Sequence, residues 1–351
     1  MAGVFRFSNA VSDIRKFIET YKMIYNQLHE TSDFTHDQVA KALVNSGMAS
    51  SSGAIGKEAL IRSTRKDRSR DPLYNQVKMY SEIYRMLGWY VPGSQRTNFN
   101  IPEYGEYIFD ATGSLLKNHF ELNVLHIVSP NPLVEIRSRN ILRPFPLILK
   151  ILDKVDGLIH RDEIILTVLA CSNDRVNTYV EEATERILSI RGNFSRLEDE
   201  YEKLMAENNI NSKDVLRNYT RFVMATLKWL NYAQPKRFRG IYGSRSVMMY
   251  KQTEDGIIKA KEVNDCVDIR NADLDHYTLE ERAAFTLYSI FYHLDILGYD
   301  MSSYDVQRKT VKSISKNILR DTSISAGRNF LYFGYQESSK EEKEYAESLI
   351  V

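Results

Sequence analysis

Apolar residues recur at helical spacing along most of this chain, and short breaks in that rhythm mark where it changes direction. Tyr74, Val77, Tyr80, Tyr84 and Leu87 lie three or four positions apart, which predicts an amphipathic helix from Pro72 to Leu87 with proline in its first turn. Gly88 supplies a left-handed stop. The period then switches. Trp89-Tyr90-Val91 reads as a strand, Pro92-Gly93-Ser94 as a turn, and Thr97 to Ile101 as a returning strand. Pro102-Glu103-Tyr104-Gly105 opens the next helix, at a position where a missing N–H costs little.

The same order recurs from Asp214 to Lys261. An aromatic-rich helix (Tyr219, Phe222, Leu227, Leu230) leads to Tyr232-Ala233-Gln234, then a basic loop, a strand from Val247 to Tyr250, and a helix opened by Thr253-Glu254-Asp255-Gly256. The two stretches share little identity. They do share the order of elements and the junction Pro/Thr-Glu-x-Gly, and an internal repeat of this size outweighs either copy alone. Helix, hairpin, helix is how a winged helix-turn-helix closes. The expected fold class is therefore mainly α with small β-hairpins: tandem winged helix-turn-helix units followed by a C-terminal helical module.

The remaining segments fit around that pair. A helix is expected from about Asn9 to Leu28, and a short one carrying Val39, Ala42 and Leu43, capped by Thr35 or Asp33. Residues 111–130 read as a helix and an apolar connector, and Ser129-Pro130-Asn131-Pro132 as a boundary. Beyond it, Arg143-Pro144-Phe145-Pro146 opens a buried helix, and a strand-like Leu158-Ile159 precedes a helix with Ile164, Ile165, Val168 and Leu169. Residues 176–208 are highly charged, break at Gly192-Asn193, and read as an insertion or brace. Three domains follow: 1–130 and 131–264 as recognition units, and 265–351 as a helical module that packs on the rest or docks a nuclease. In the last, Thr278-Leu279-Glu280-Glu281 is a capping box, Val306 starts a basic amphipathic helix, and a charged helix follows Ser338.

Composition narrows the function only through where the charge sits. With 351 residues, Lys+Arg 47 and Asp+Glu 46, the net charge of +1 neither favours nor excludes a nucleic-acid partner. Residues 49–70 are different. Lys57, Arg62, Arg65, Lys66, Arg68 and Arg70 outnumber Glu58 and Asp67 in a serine- and glycine-rich run just ahead of the Pro72 helix. Small residues let backbone N–H groups reach phosphates, and guanidinium groups can grip guanine edges in pairs; the plain alternative is a solvated charged loop. Asn75, Gln76 and Lys78 on the following helix, and Arg96 in the hairpin, complete the first set of candidate DNA contacts. The second is Lys236, Arg237, Arg239 and Arg245, in a stretch from Pro235 to Lys251 that contains no acid but interleaves Phe238, Tyr242 and two glycines.

Other chemistry is poorly represented. Gly56-Lys57 lacks the first glycine and the Ser/Thr of a phosphate-binding loop. There is no Cys-x-x-Cys or His-Glu-x-x-His, so no metal ligands are expected, and the seven histidines are dispersed as surface or satisfied core residues. The two cysteines suggest a reducing compartment. With no leader or long apolar run, a cytoplasmic protein without a membrane partner is expected.

The segments DPLYNQVKMYSEIYRMLGWY with its hairpin and IPEYG, then RPFPLILKILDKVDGLIHRDEIILTVL, then NYTRFVMATLKWLNYA, resemble the DNA-recognition region of type IIS restriction endonucleases. The likeness is to the FokI-like recognition region and, more nearly, to the AlwI group with its nicking enzymes. It spans roughly residues 35–260. It implies sequence-specific reading of double-stranded DNA by two winged-helix subdomains, with cleavage outside the site by a Mg²⁺-dependent PD-(D/E)xK domain. Here the sequence departs from that pattern. No Pro-Asp dipeptide occurs, and the Glu-x-Lys of Glu341-Glu342-Lys343 lies in what reads as an exposed charged helix. Gly240-Ile241-Tyr242 is only half of a GIY-YIG signature. The expectation is a recognition subunit or portion with no catalytic residues, no metal site and no cofactor of its own, and Mg²⁺ belonging to a partner nuclease. Two alternatives stand beside it: a winged-helix transcriptional regulator, and a complete nuclease with an unrecognised active site.

Overall fold

Within 3–8, 11–48, 50–51, 54–55, 72–95, 97–134 and 139–350, the residues described by the computed structural model, one order of elements occurs twice. The first unit runs α1 (Ile14–Leu28), β1 (Phe34–Thr35), α2 (His36–Asn45), α3 (Pro72–Met86), β2 (Val91–Pro92) and β3 (Asn98–Asn100). It closes with α4 (Glu103–Asp110) and α5 (Gly113–Leu125). The second runs α6 (Pro144–Lys154), β4 (Leu158–His160) and α7 (Arg161–Ile164), which continues as a π-helical turn over Ile165–Leu169. Two inserted helices follow, α8 (Tyr179–Ile190) and α9 (Phe194–Glu207), then α10 (Lys213–Tyr219) and α11 (Arg221–Trp229). The hairpin β5 (Ala233–Gly240) and β6 (Gly243–Gln252) leads into α12 (Glu254–Asp265).

Each unit places its early strand beside the second hairpin strand, giving the antiparallel orders β1-β3-β2 and β4-β6-β5. Local chemistry repeats with the topology. Asp33 (φ 61°) and Asp156 (φ 57°) turn the chain into the early strand. Thr35 with Gln38, and His160 with Glu163, then form capping boxes that satisfy the first N–H groups of α2 and α7. Gly88 and Asn231, both at positive φ, stop α3 and α11. The shared Glu-x-Gly junction has a steric cause: a Cβ at Gly105 would press on the Trp89 carbonyl, and one at Gly256 would collide with the Tyr232 carbonyl. In both units, therefore, the helix after the hairpin can seat against the backbone just ahead of it.

Several boundaries differ from the periodicity. Trp89 and Tyr90 are not strand residues, because both N–H groups go to the Tyr84 carbonyl and both rings are fully buried. Each ring removes roughly 150–250 Å² from water, and Trp89 finishes by donating to Asn123 Oδ1 at 2.7 Å. The first helix starts at Ile14 rather than near Asn9, since the Asp13 side chain accepts from Lys16 N. The basic loop after Gln234 is a strand, paired residue for residue with β6 from Ala233 to Arg239.

One hydrophobic cluster runs through both units. Phe7 packs on Phe145 and Phe222, and Phe120 on Phe222 and Trp229. The C-terminal module is built on α13 (Leu279–Ile296), α14 (Asp305–Ile314), α15 (Lys316–Asp321) and α16 (Lys340–Ser348) and has two smaller clusters of its own. The basic helix expected from Val306 is split because Ser315 Oγ donates back to the Val311 carbonyl, a bond that bends helices. This module is keyed to the second unit by Arg143, a fully buried guanidinium that bonds Glu337, Asp268 and the Ile269 carbonyl.

Candidate nucleic-acid interface

In the second unit the helix ahead of the hairpin is divided at the buried Thr220, whose hydroxyl donates to the Arg217 carbonyl. Phe222, Val223, Leu227 and Leu230 face the core. Asp214, Asn218, Arg221, Ala225 and Lys228 recur at helical spacing on the other side, with Arg221 and Lys228 exposed and Asn218 half-buried. Asn and Arg are the side chains that engage adenine and guanine edges in pairs of hydrogen bonds. Sequence reasoning misses these three polar side chains, although their i, i+3, i+10 spacing is visible. Arg217 is spent elsewhere. Its Nη2 lies 2.9 Å from Asp162 Oδ2, and although burial works to raise the Asp162 carboxyl, Arg217 and His160 hold it below its ordinary value.

The adjoining hairpin carries the expected cations in strand register. Arg237 pairs with Met248 and Arg239 with Ser246, so both arginines share one face, and both are exposed. Lys236 falls on the opposite face, across from the buried Met249, with its ammonium 5.8 Å from the Phe238 ring. Arg245 lies on β6, with its side chain outside the described set.

The hairpin tip is fixed to the body of the unit. Tyr242 is 1% exposed, and its hydroxyl donates to Glu163, a carboxylate that is fully buried. Burial, reinforced by the Glu163 charge, pushes the Tyr242 phenol far up. Glu163 also accepts from Arg191 Nε at 2.8 Å and from the His160 N–H at 2.8 Å. Beside it, the Gly192 N–H donates to the Ile241 carbonyl at 2.6 Å. The elbow between α8 and α9 thus grips the turn of the hairpin. No sequence signal could have found Tyr242, Glu163 and Arg191 together, since they come from three separate elements.

The first unit presents less. Lys57, Arg62, Arg65, Lys66, Arg68, Arg70 and Arg96 lie outside the described residues. On α3, Asn75 is half-buried and Lys78 exposed, in line with Glu82 and Arg85 at i, i+3, i+7 and i+10. Gln76 is half-buried, and it works against the burial that raises the Tyr80 phenol. Arg85 lies 5.1 Å over the Phe99 ring. Burial, aided by the Arg85 and Lys78 charges, lowers His36 to about 4. The short hairpin is held down by Asp33, which accepts from Ser94 N at 2.5 Å, from the Ser94 hydroxyl, and from Asn98 Nδ2 at 3.0 Å.

Among the described residues no cluster of His, Cys, Asp or Glu is arranged to hold a metal ion, and no helix is long and apolar enough to cross a membrane. The Glu341-Glu342-Lys343 helix is less exposed than expected. Glu342 is buried against Arg282, Nε to Oε1 at 3.1 Å, and burial lowers Lys343 to about 8. The reason is that α16 packs its inner face on α13. His119, His126 and His293 are core residues, all lowered by burial. His119 bridges Tyr104 and Tyr299 at 3.3 and 3.0 Å.

No protein-family model matches this chain, and no curated protein matches it either. Among solved structures, that of the restriction endonuclease FokI is similar with a TM-score of 0.40 and 10% identity, covering 89% of this chain. The chain spans 61% of the length of that structure.

Proposed function

We propose that this chain reads double-stranded DNA sequence-specifically through two winged-helix units, as the recognition portion of a type II, IIS-like restriction endonuclease whose nuclease lies outside these residues. The observation that carries the reading is the duplicated topology. Each unit has an early strand, a capped helix, a helix with a polar outer face, and a hairpin whose second strand pairs back to the early one. In such units the helix before the hairpin enters the major groove and the hairpin follows the backbone. Asn218, Arg221 and Lys228 would read bases or position the second unit, with Arg237, Arg239 and Lys236 on phosphates. Asn75 and Lys78 would serve the first unit, together with the basic residues from Lys57 to Arg70. Two unlike units in one chain suit an asymmetric site bound by a monomer.

The test is selection by the purified chain from a randomised duplex pool, followed by incubation of the winner with Mg²⁺. A short asymmetric site, bound and uncut, is the expected result. A palindrome would favour a homodimeric regulator, cleavage would place a nuclease active site within this chain, and no enrichment would end the DNA reading.

A further inference from the structure

The C-terminal module takes no part in the DNA contacts proposed for the two units, yet it carries a groove of its own. Tyr288, Phe291 and Tyr292 of α13 and Arg308, Lys309 and Lys312 of α14 line a groove of about 270 Å³. Its floor is aromatic: the Tyr288 and Tyr292 rings lie 6.4 Å apart and nearly parallel, backed by Phe330. Its acids are already engaged, since Asp295 and Asp305 both pair with Arg308, at 3.4 and 3.7 Å. That leaves Lys309, Lys312 and, one turn further, Lys316. All three are exposed, and among the described residues none is joined to an acid by an ion pair.

We infer that this groove binds the phosphodiester backbone of DNA flanking the recognition site, an inference that rests on the DNA reading proposed above. Lys309, Lys312 and Lys316, none in an ion pair among the described residues, form a cationic stripe along α14 and into α15, and with Arg308 they outnumber Asp295 and Asp305, the pattern a phosphate strand requires. The Tyr292 hydroxyl donates to Asn329 Oδ1 at 2.7 Å, which leaves the Tyr288 hydroxyl as the neutral donor beside the stripe, of the kind that commonly contacts phosphate oxygens. The position is continuous with the first unit. Tyr304, immediately ahead of α14, shares a cavity with Val91, Asn100 and Ile101 of the first hairpin.

The experiment compares affinity and its salt dependence on a duplex limited to the selected site and on the same duplex extended by about ten base pairs, on one side and then the other. One extension is expected to tighten binding about tenfold and to steepen the salt slope by about 2 to 3, the signature of three further phosphate contacts. The triple variant K309E/K312E/K316E abolishes that gain and leaves affinity for the short duplex unchanged. A gain that survives charge reversal, no gain from either extension, or a gain seen only with a single-stranded extension would overturn the inference and leave the proposed function standing. Failure to bind even the short duplex would overturn the proposed function itself, and this inference with it.

Discussion

The two hairpins solve one topological problem at different lengths. The first has strands of two and three residues, and the second has strands of eight and ten. A short hairpin can be held by its loop, and Asp33, at the turn into β1, does so with three acceptor bonds. A long one cannot, because two strands projecting into water are marginal by themselves. The second unit has therefore acquired an anchor at the far end. Tyr242 reaches the buried Glu163, and the elbow of the inserted helices binds the Ile241 carbonyl. The charged insertion between α7 and α10 is thus more than a brace, since it supplies the surface on which the longer hairpin closes.

The sharpest way to break this comparison is to remove Glu163. Glu163→Ala removes the buried ion pair of Arg191, leaves the Tyr242 hydroxyl unmet and breaks half of the capping box of α7, so a loss of about 3–5 kcal/mol is expected in denaturant unfolding. Glu163→Gln should lose clearly less. Equal losses in the two variants would show that the buried charge does not hold the hairpin.

Acid should act elsewhere, at the contact of α5 with the C-terminal module. Burial lowers His119 and His293 to about 4, against an unfolded value near 6.5. Between those values the unfolded chain binds more protons, so the stability present above pH 6.5 falls as pH drops toward 4. By pH 4.5 the loss is about 2.5 kcal/mol for each histidine. Hydrogen exchange should show the seam between α5 and the C-terminal module loosening before the second hairpin. Simultaneous loss of both would contradict the assignment.

Tyr242→Phe keeps the ring and deletes one bond to a buried carboxylate, an expected cost of about 1–2 kcal/mol. Its exchange signature should be confined to β5 and β6. The smallest effect is expected from Asp33→Ala, which should raise exchange at Ser94 and Asn98 alone and shift the melting temperature less than Tyr242→Phe. A larger shift from Asp33→Ala would mean that the short hairpin, not the long one, depends more on its clamp.

Much of this architecture was legible from the chain. Helical spacing found α3, α11 and α13, and Glu-x-Gly marked both junctions after the hairpins. Strand limits were harder, because Trp89 and Tyr90 carry strong strand preference yet spend their N–H groups on a helix end. The outer face of α10 and α11 was hidden for a related reason: aromatic core residues dominate that stretch and obscure Asn218, Arg221 and Lys228. The anchor of the long hairpin left no local trace, since Glu163 and Tyr242 meet only when the chain folds back on itself.

The most direct test of two unlike units reading one site is to repeat the pool selection with Asn218→Ala/Arg221→Ala. Arg221 is exposed and Asn218 half-buried, and neither side chain has a hydrogen bond or ion pair among the described residues, so the variant should remain folded. The expected result is an enriched site that loses base preference over one contiguous half and keeps it over the other. Preference lost symmetrically on both sides of a centre, or retained throughout, would contradict tandem reading by two winged-helix units.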